Sequence, residues 1–271
     1  MYRTTAYRYP NESLILALTI FLVLAVIIIS ATATFCLSGL FIIVILAMAI
    51  YTNRSHHLAL MRQAYPVRPD NAPNLAKIAT VCHRRLQPGP VQLYLLKAKA
   101  LNAYTFGLSD PKVIVMYEPM LQVMDPEELA FVIGHEMGHV ALGHTWLNTI
   151  LGGMAGVPAP FGAAVILYAA FKWWNRACEF SCDRAGLLAS GSLSKSISAL
   201  VRLAAPNIRS QADFDNAMAL LDAQDDEVNN RIMEMFQTHP LIIRRINQLR
   251  EYAGSAEYKR LQAAVDKNLA A

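Results

Sequence analysis

Charge is scarce in this 271-residue chain. Asp, Glu, Lys and Arg make up 16% of it and hydrophobic residues 55%, where an ordinary soluble domain carries roughly 25% charge. The four cysteines, Cys36, Cys82, Cys178 and Cys182, are too few and too scattered for a disulfide framework, which favours a reducing compartment. The formal net charge of +4 is diffuse, and no Lys/Arg block interleaved with aromatics occurs, so a nucleic-acid partner is excluded. Most telling, not one charged residue lies between Ser13 and Asn53.

As a single helix that stretch would be about 60 Å long, twice the roughly 30 Å hydrocarbon core of a bilayer. Two crossings at about 14–31 and 36–52 fit it, with Ala31-Thr32-Ala33-Thr34 at the turn. Residues 1–53 then form a transmembrane helical hairpin and 54–271 a separate domain, with the lipid bilayer as a partner. Arg3 and Arg8 before the hairpin and Arg54, Arg62 and Arg68 after it place both flanks on the cytoplasmic side. A cleaved signal peptide is the rival reading, since a basic start, an apolar core and Ala31-Thr32-Ala33 resemble its three parts.

Beyond the hairpin, Val91–Leu96 and Lys112–Tyr117 are short, apolar and rich in β-branched or aromatic residues, which predicts strands. A helix is predicted next. Asp125 suits its N-cap, Pro126 its first position and Glu128 the reciprocal place in a capping box. Leu129, Val132, Ile133 and Val140 recur at helical spacing and mark its buried face. The expected fold class is thus mainly α with a small β-sheet.

On that helix stands His135-Glu136-Met137-Gly138-His139. Imidazoles four residues apart share a helix face and can reach one zinc at about 2.0–2.1 Å, while the carboxylate beside them can serve as general base to a water. A solvated histidine pair is the alternative, but the surrounding run is apolar and would bury two unpaired imidazoles.

A catalytic zinc takes three protein ligands and keeps one position open. A downstream Gly and His at the metzincin spacing are absent, because Leu142 and Thr145 stand there and Gly143 and His144 are each one place off. His144 is expected near the helix end. Cys178-Glu179-Phe180-Ser181-Cys182-Asp183 offers Glu179 as third ligand and Asp183, one turn on, as acceptor for the free N–H of a ligating histidine. The alternatives are a surface acidic pair, or a thiolate site from Cys178 and Cys182, which otherwise read as small core residues.

These pieces, in this order, resemble the integral-membrane zinc proteases that include the heat-shock protease HtpX and the CAAX prenyl endopeptidases. The resemblance spans roughly residues 70–250. It rests on Asn102-Ala103-Tyr104-Thr105-Phe106-Gly107 followed by a β-hairpin, on the His135–His139 motif, on Glu179 and Asp183, on Thr238-His239-Pro240 and on Arg245-Ile246.

It implies a zincin-type metalloprotease domain with one catalytic Zn2+ held by His135, His139 and Glu179, and with Glu136 as base. Asn102 is implied as a substrate-backbone contact, His239 as a transition-state stabiliser and Arg245 as a partner of the site acids. It also implies polypeptide substrates, misfolded membrane proteins among them, with a narrow-specificity processing protease or a non-catalytic zinc scaffold as alternatives. The oligomeric state is not readable.

One departure matters. HtpX-like chains carry a second membrane hairpin between the histidine helix and the Glu ligand, but here the uncharged run from Thr145 to Phe171 is too short for two crossings. A single crossing would separate His139 from Glu179. The expectation is a re-entrant or interfacial hairpin at about 149–174, anchored by Lys172, Trp173 and Trp174. The polar stretch 207–237 declares no role.

Overall fold

The computed structural model of the chain describes residues 4–33, 37–147, 162–204, 212, 214–216 and 242–270. Most of the 207–237 stretch, the 149–161 part of the expected hairpin, and His239 lie outside them. The architecture is α+β, mainly helical with one small mixed sheet.

The charge-free stretch forms two long helices, α1 (Glu12–Ala33) and α2 (Leu37–Met61), the second running past the predicted end of the crossing at 52. Several of their side chains lie outside the described set, and among those described no helix is long and apolar enough to cross a membrane. The two crossings expected from the sequence are therefore not established by the fold.

After β1 (Tyr65–Pro66) and α3 (Pro73–Leu86) come β2 (Val91–Leu96), β3 (Ala103–Phe106) and β4 (Lys112–Tyr117). The order across the sheet is β1-β2-β4-β3. β2 and β4 are parallel, from Val91 opposite Lys112 to Leu96 opposite Tyr117, while β3 lies antiparallel on β4 with Thr105 opposite Ile114. β3 is thus an edge strand. Alternation sends Ile114 and Met116 into the main core with the histidine helix, and Val115 to the other face with Phe106 and Leu96, against Leu60 and Met61 of α2.

The short α4 (Met120–Val123) leads to α5 (Pro126–Ala141), whose start is the predicted capping box. Asp125 Oδ1 accepts the N–H groups of Glu127 and Glu128 at 3.0 and 2.9 Å, and Glu128 Oε2 accepts the Asp125 N–H at 2.9 Å. The chain continues through α6 (Gly162–Ser190), α7 (Leu193–Ala204), α8 (Ile242–Gly254) and α9 (Ala256–Ala270).

Gly134 and Gly138 of α5, with Gly186 of α6, set the distance between the two helices. A Cβ at Gly134 would lie 2.3 Å from the Ala189 Cβ, and one at Gly138 2.8 Å from the Ala185 Cβ. Neither gap admits a methyl group. Backbone contact at these points brings the middle of α6 to the histidine face of α5.

On its other side α6 meets α1 in antiparallel fashion, Glu12 opposite Ser181 and Thr19 opposite Ala170. Ile15, Trp174, Ala177 and Cys178 form a small apolar cluster at this contact. Trp174 is only 2% exposed, so it is a packing residue here rather than a surface anchor, whereas Trp173 is 43% exposed. Trp174 is buried because α1 covers that face of α6.

Candidate metal centre

α5 presents His135, Glu136 and His139 as buried side chains, and α6 presents Glu179 and Asp183, also buried, against them. The single Glu179 carboxylate spans both imidazoles. Its Oε2 lies 3.5 Å from His135 Nε2 and its Oε1 3.5 Å from His139 Nε2. The opposite nitrogen of His135, Nδ1, faces Asp183 Oδ1 at 3.0 Å.

From α8, Arg245 donates to both Asp183 oxygens, Nε to Oδ2 at 2.8 Å and Nη2 to Oδ1 at 2.6 Å. Its Nη1 stands 3.4 Å from Glu179 Oε2. A planar guanidinium suits this fork, which fixes Asp183 in rotation as well as position. Burial opposes the charge on Asp183, yet the Arg245 guanidinium and the His135 ring hold its carboxyl below the usual range. Burial likewise opposes charge on His135, but hydrogen bonds to Asp183 and Glu179 raise its pKa to about 10.

Glu136 is held from the sheet. The Thr105 hydroxyl of β3 lies 2.6 Å from Glu136 Oε2 and donates to it. Asn102 is exposed just before β3, where its carbonyl accepts the Tyr117 N–H at 3.0 Å. No contact of its side chain with the cluster is seen among the described residues.

A second polar group adjoins the first. Gly143, at φ 77°, turns the chain after α5, and His144 folds back beneath His139 with the two Nδ1 atoms 3.3 Å apart. His144 Nε2 lies 3.1 Å from Oε1 of Glu12, at the start of α1. Ser181 donates to the other Glu12 oxygen, and Arg8 Nη1 is 3.4 Å from Oε1. Burial lowers the His144 pKa despite the Glu12 contact. Burial tends to raise the Glu12 pKa, but His144, Ser181 and Arg8 together lower it.

Among the described residues, two groupings could therefore take a metal. One is His135 and His139 with either Glu179 or the nearby Cys182, and the other is Glu12, His144 and Cys178. In the second, Arg8 already balances Glu12, and burial pushes the Cys178 thiol well up. In the first, burial does the same to Cys182, whereas the Glu179 carboxylate spans both Nε2 atoms. A carboxylate with two imidazoles fits a divalent ion such as zinc and leaves one position open, and Glu179 faces both Nε2 atoms while the Cys182 sulfur lies 3.6 Å from His144 Nδ1.

The structure thus gathers His135, Glu136, His139, Glu179, Asp183 and Arg245 in one place. Sequence reasoning missed Thr105, Glu12 and Ser181, and gave His144 no partner. The Gly143 turn was the one available signal for His144.

A family model described as Peptidase family M48 matches residues 71–253. The chain is 31% identical over 185 residues to a plastoglobule-localized metallopeptidase 48 of Arabidopsis thaliana, covering 62% of this chain and 54% of that protein. It thus spans about half the length of that relative. It is 27% identical over 219 residues to a protease HtpX homolog of Acaryochloris marina, covering 69% and 74% of the two chains. A CAAX prenyl protease 1 homolog of Dictyostelium discoideum is 43% identical over 51 residues, 19% of this chain and 12% of that one.

Proposed function

Because this chain belongs to peptidase family M48, we propose that it is a membrane-bound zinc endopeptidase in which His135, His139 and Glu179 hold the metal and Glu136 is the general base. One observation carries this reading: the Glu179 carboxylate faces Nε2 of both histidines at 3.5 Å, while Asp183 takes up Nδ1 of His135. When bound, the metal supplies a Lewis acid that polarises the scissile carbonyl and acidifies water.

The protein's own groups do the rest. Glu136, oriented by Thr105, takes a proton from the attacking water as the new C–O bond forms. It returns that proton to the amine nitrogen as the C–N bond breaks. Asp183, clamped by Arg245, keeps the proton of His135 on Nδ1 and so leaves Nε2 as the ligand atom. His239, by family resemblance, donates a hydrogen bond to the developing oxyanion.

Substrate binding is assigned to β3, the end strand of the sheet among the described residues. An extended segment adding to this strand would be recognised through its backbone, with Asn102 as a further contact at the strand's start. Such recognition suits unfolded polypeptides, and misfolded membrane proteins are the proposed class. Location supports it. Phe21, Ile28, Ile29, Ile43, Met48 and Tyr51 are each more than 60% exposed on α1 and α2, an apolar surface that water does not tolerate and lipid does. The apolar first half of α6 runs beside α1, which suits the re-entrant hairpin at 149–174, and the basic flanks suit a cytoplasmic active site.

The test is hydrolysis of unfolded casein by the detergent-solubilised protein. Activity should vanish with a chelator and return with one equivalent of zinc. Hydrolysis indifferent to chelation would overturn the proposal.

A further inference from the structure

We propose that Glu12 and His144 are positioning residues for the metal ligand His139, joined in a hydrogen-bonded relay that makes the first turn of α1 a working part of the metal centre. This rests on His139 being a ligand through Nε2. Glu12 lies well before the region matched by the family model, which starts at residue 71.

The proton assignment follows from the geometry. If Nε2 of His139 faces the metal, beside Glu179, then Nδ1 carries the ring proton and needs an acceptor. Among the described residues the acceptor in reach is His144 Nδ1, at 3.3 Å. His144 Nδ1 must then be bare, so its own proton sits on Nε2, where Glu12 Oε1 accepts it at 3.1 Å. Glu12 is fixed as the terminal anion by Arg8 and by the Ser181 hydroxyl, which in turn accepts the Tyr9 N–H at 2.7 Å. Each proton is used once. The Cys182 sulfur, 3.6 Å from His144 Nδ1, competes for the same lone pair as the weaker donor.

The two ligands are thus oriented by different devices. His135 meets a carboxylate from α6 directly, and His139 reaches one from α1 through an intervening imidazole. The second device crosses 132 residues of sequence to the helix that carries the exposed apolar face. Docking of α1 on α6 is then what completes the orientation of His139. Displacing α1 leaves that ring free to turn.

The experiment uses the full chain in detergent and reads zinc affinity by competition with a chromophoric chelator, together with the His139 Nδ1 proton in 15N-histidine-labelled, zinc-loaded protein. Glu12→Ala and His144→Ala should weaken zinc binding by about 10- to 100-fold, as loss of a ligand's partner does. The Nδ1 proton signal should broaden or move upfield. Glu12→Gln, which keeps an acceptor oxygen, should recover most of the affinity. Thr19→Val, which removes an α1–α6 hydrogen bond outside the relay, should leave both readouts unchanged.

Unchanged affinity and an unchanged Nδ1 signal in Glu12→Ala would overturn the relay. So would an equal loss in Thr19→Val, since helix docking alone would then explain the effect. Wild-type protein that binds no zinc would instead overturn the functional reading beneath it.

Discussion

Asp183 stands between His135 and Arg245, accepting from the imidazole at 3.0 Å on one side and from Nε and Nη2 of the guanidinium on the other. Replacing it with Asn keeps the size but weakens the pull on the Nδ1 proton. Asp183→Asn should lower metal affinity by about 10- to 100-fold, read by chelator competition, with the fold retained by circular dichroism. Arg245→Ala removes the guanidinium that faces both Asp183 and Glu179, leaving His135 to face both, and should cost about 3 kcal/mol of stability in the metal-free protein, read by denaturant titration.

The close approach of α5 and α6 yields a second prediction. Gly138→Ala places a methyl group 2.8 Å from the Ala185 Cβ, so the helices must separate. Stability should fall by about 1–3 kcal/mol. Because Glu179 and Asp183 ride on α6, metal affinity should fall with it, and equilibrium unfolding and metal titration of one sample check both.

Thr105 supplies a third. Its hydroxyl is 2.6 Å from Glu136 Oε2, and Thr105→Val removes that donor with little change of shape. The expected result is a kcat lower by about tenfold, with metal content and KM nearly unchanged, since only the base loses its orientation. Steady-state kinetics with a quenched peptide decide it.

The α5 cap gives a pH dependence. Burial raises the Asp125 pKa, but Lys195 and the N–H groups of Glu128 and Glu127 outweigh it, so its folded pKa lies below the unfolded value. A carboxyl shifted this way contributes stability above its unfolded pKa of about 3.9 and loses it as pH falls through the folded pKa. Asp125→Ala should cost about 1 kcal/mol at pH 7. The stability gap between wild type and Asp125→Asn should narrow as pH drops from 6 to 3, checked by thermal unfolding of metal-free protein.

What the sequence made legible was local. The strands Val91–Leu96 and Lys112–Tyr117 and the Asp125 cap are set by local spacing and form where expected, and spacings of one turn put His135 with His139 and Glu179 with Asp183, pairs that the fold brings within 3.5 Å of each other. The hairpin of β3 and β4 after Asn102 was expected too, but not the parallel pairing of β4 with β2 or the added β1. Residues joined across long stretches escaped. Nothing within a helix turn of Glu12 points to His144, and nothing near Thr105 points to Glu136, because such pairs are set by packing and not by periodicity. Trp174 misled for the same reason: beside Lys172 and Trp173 it looks interfacial, yet α1 covers it.

The central claim is that the cluster holds a metal for hydrolysis and that Glu136 moves the proton. Glu136→Gln keeps the shape of the side chain and removes its basicity. Metal analysis and peptide hydrolysis on the same purified sample should find about one equivalent of zinc and a kcat lower by roughly 10² to 10⁴. Normal turnover by that variant would contradict the account.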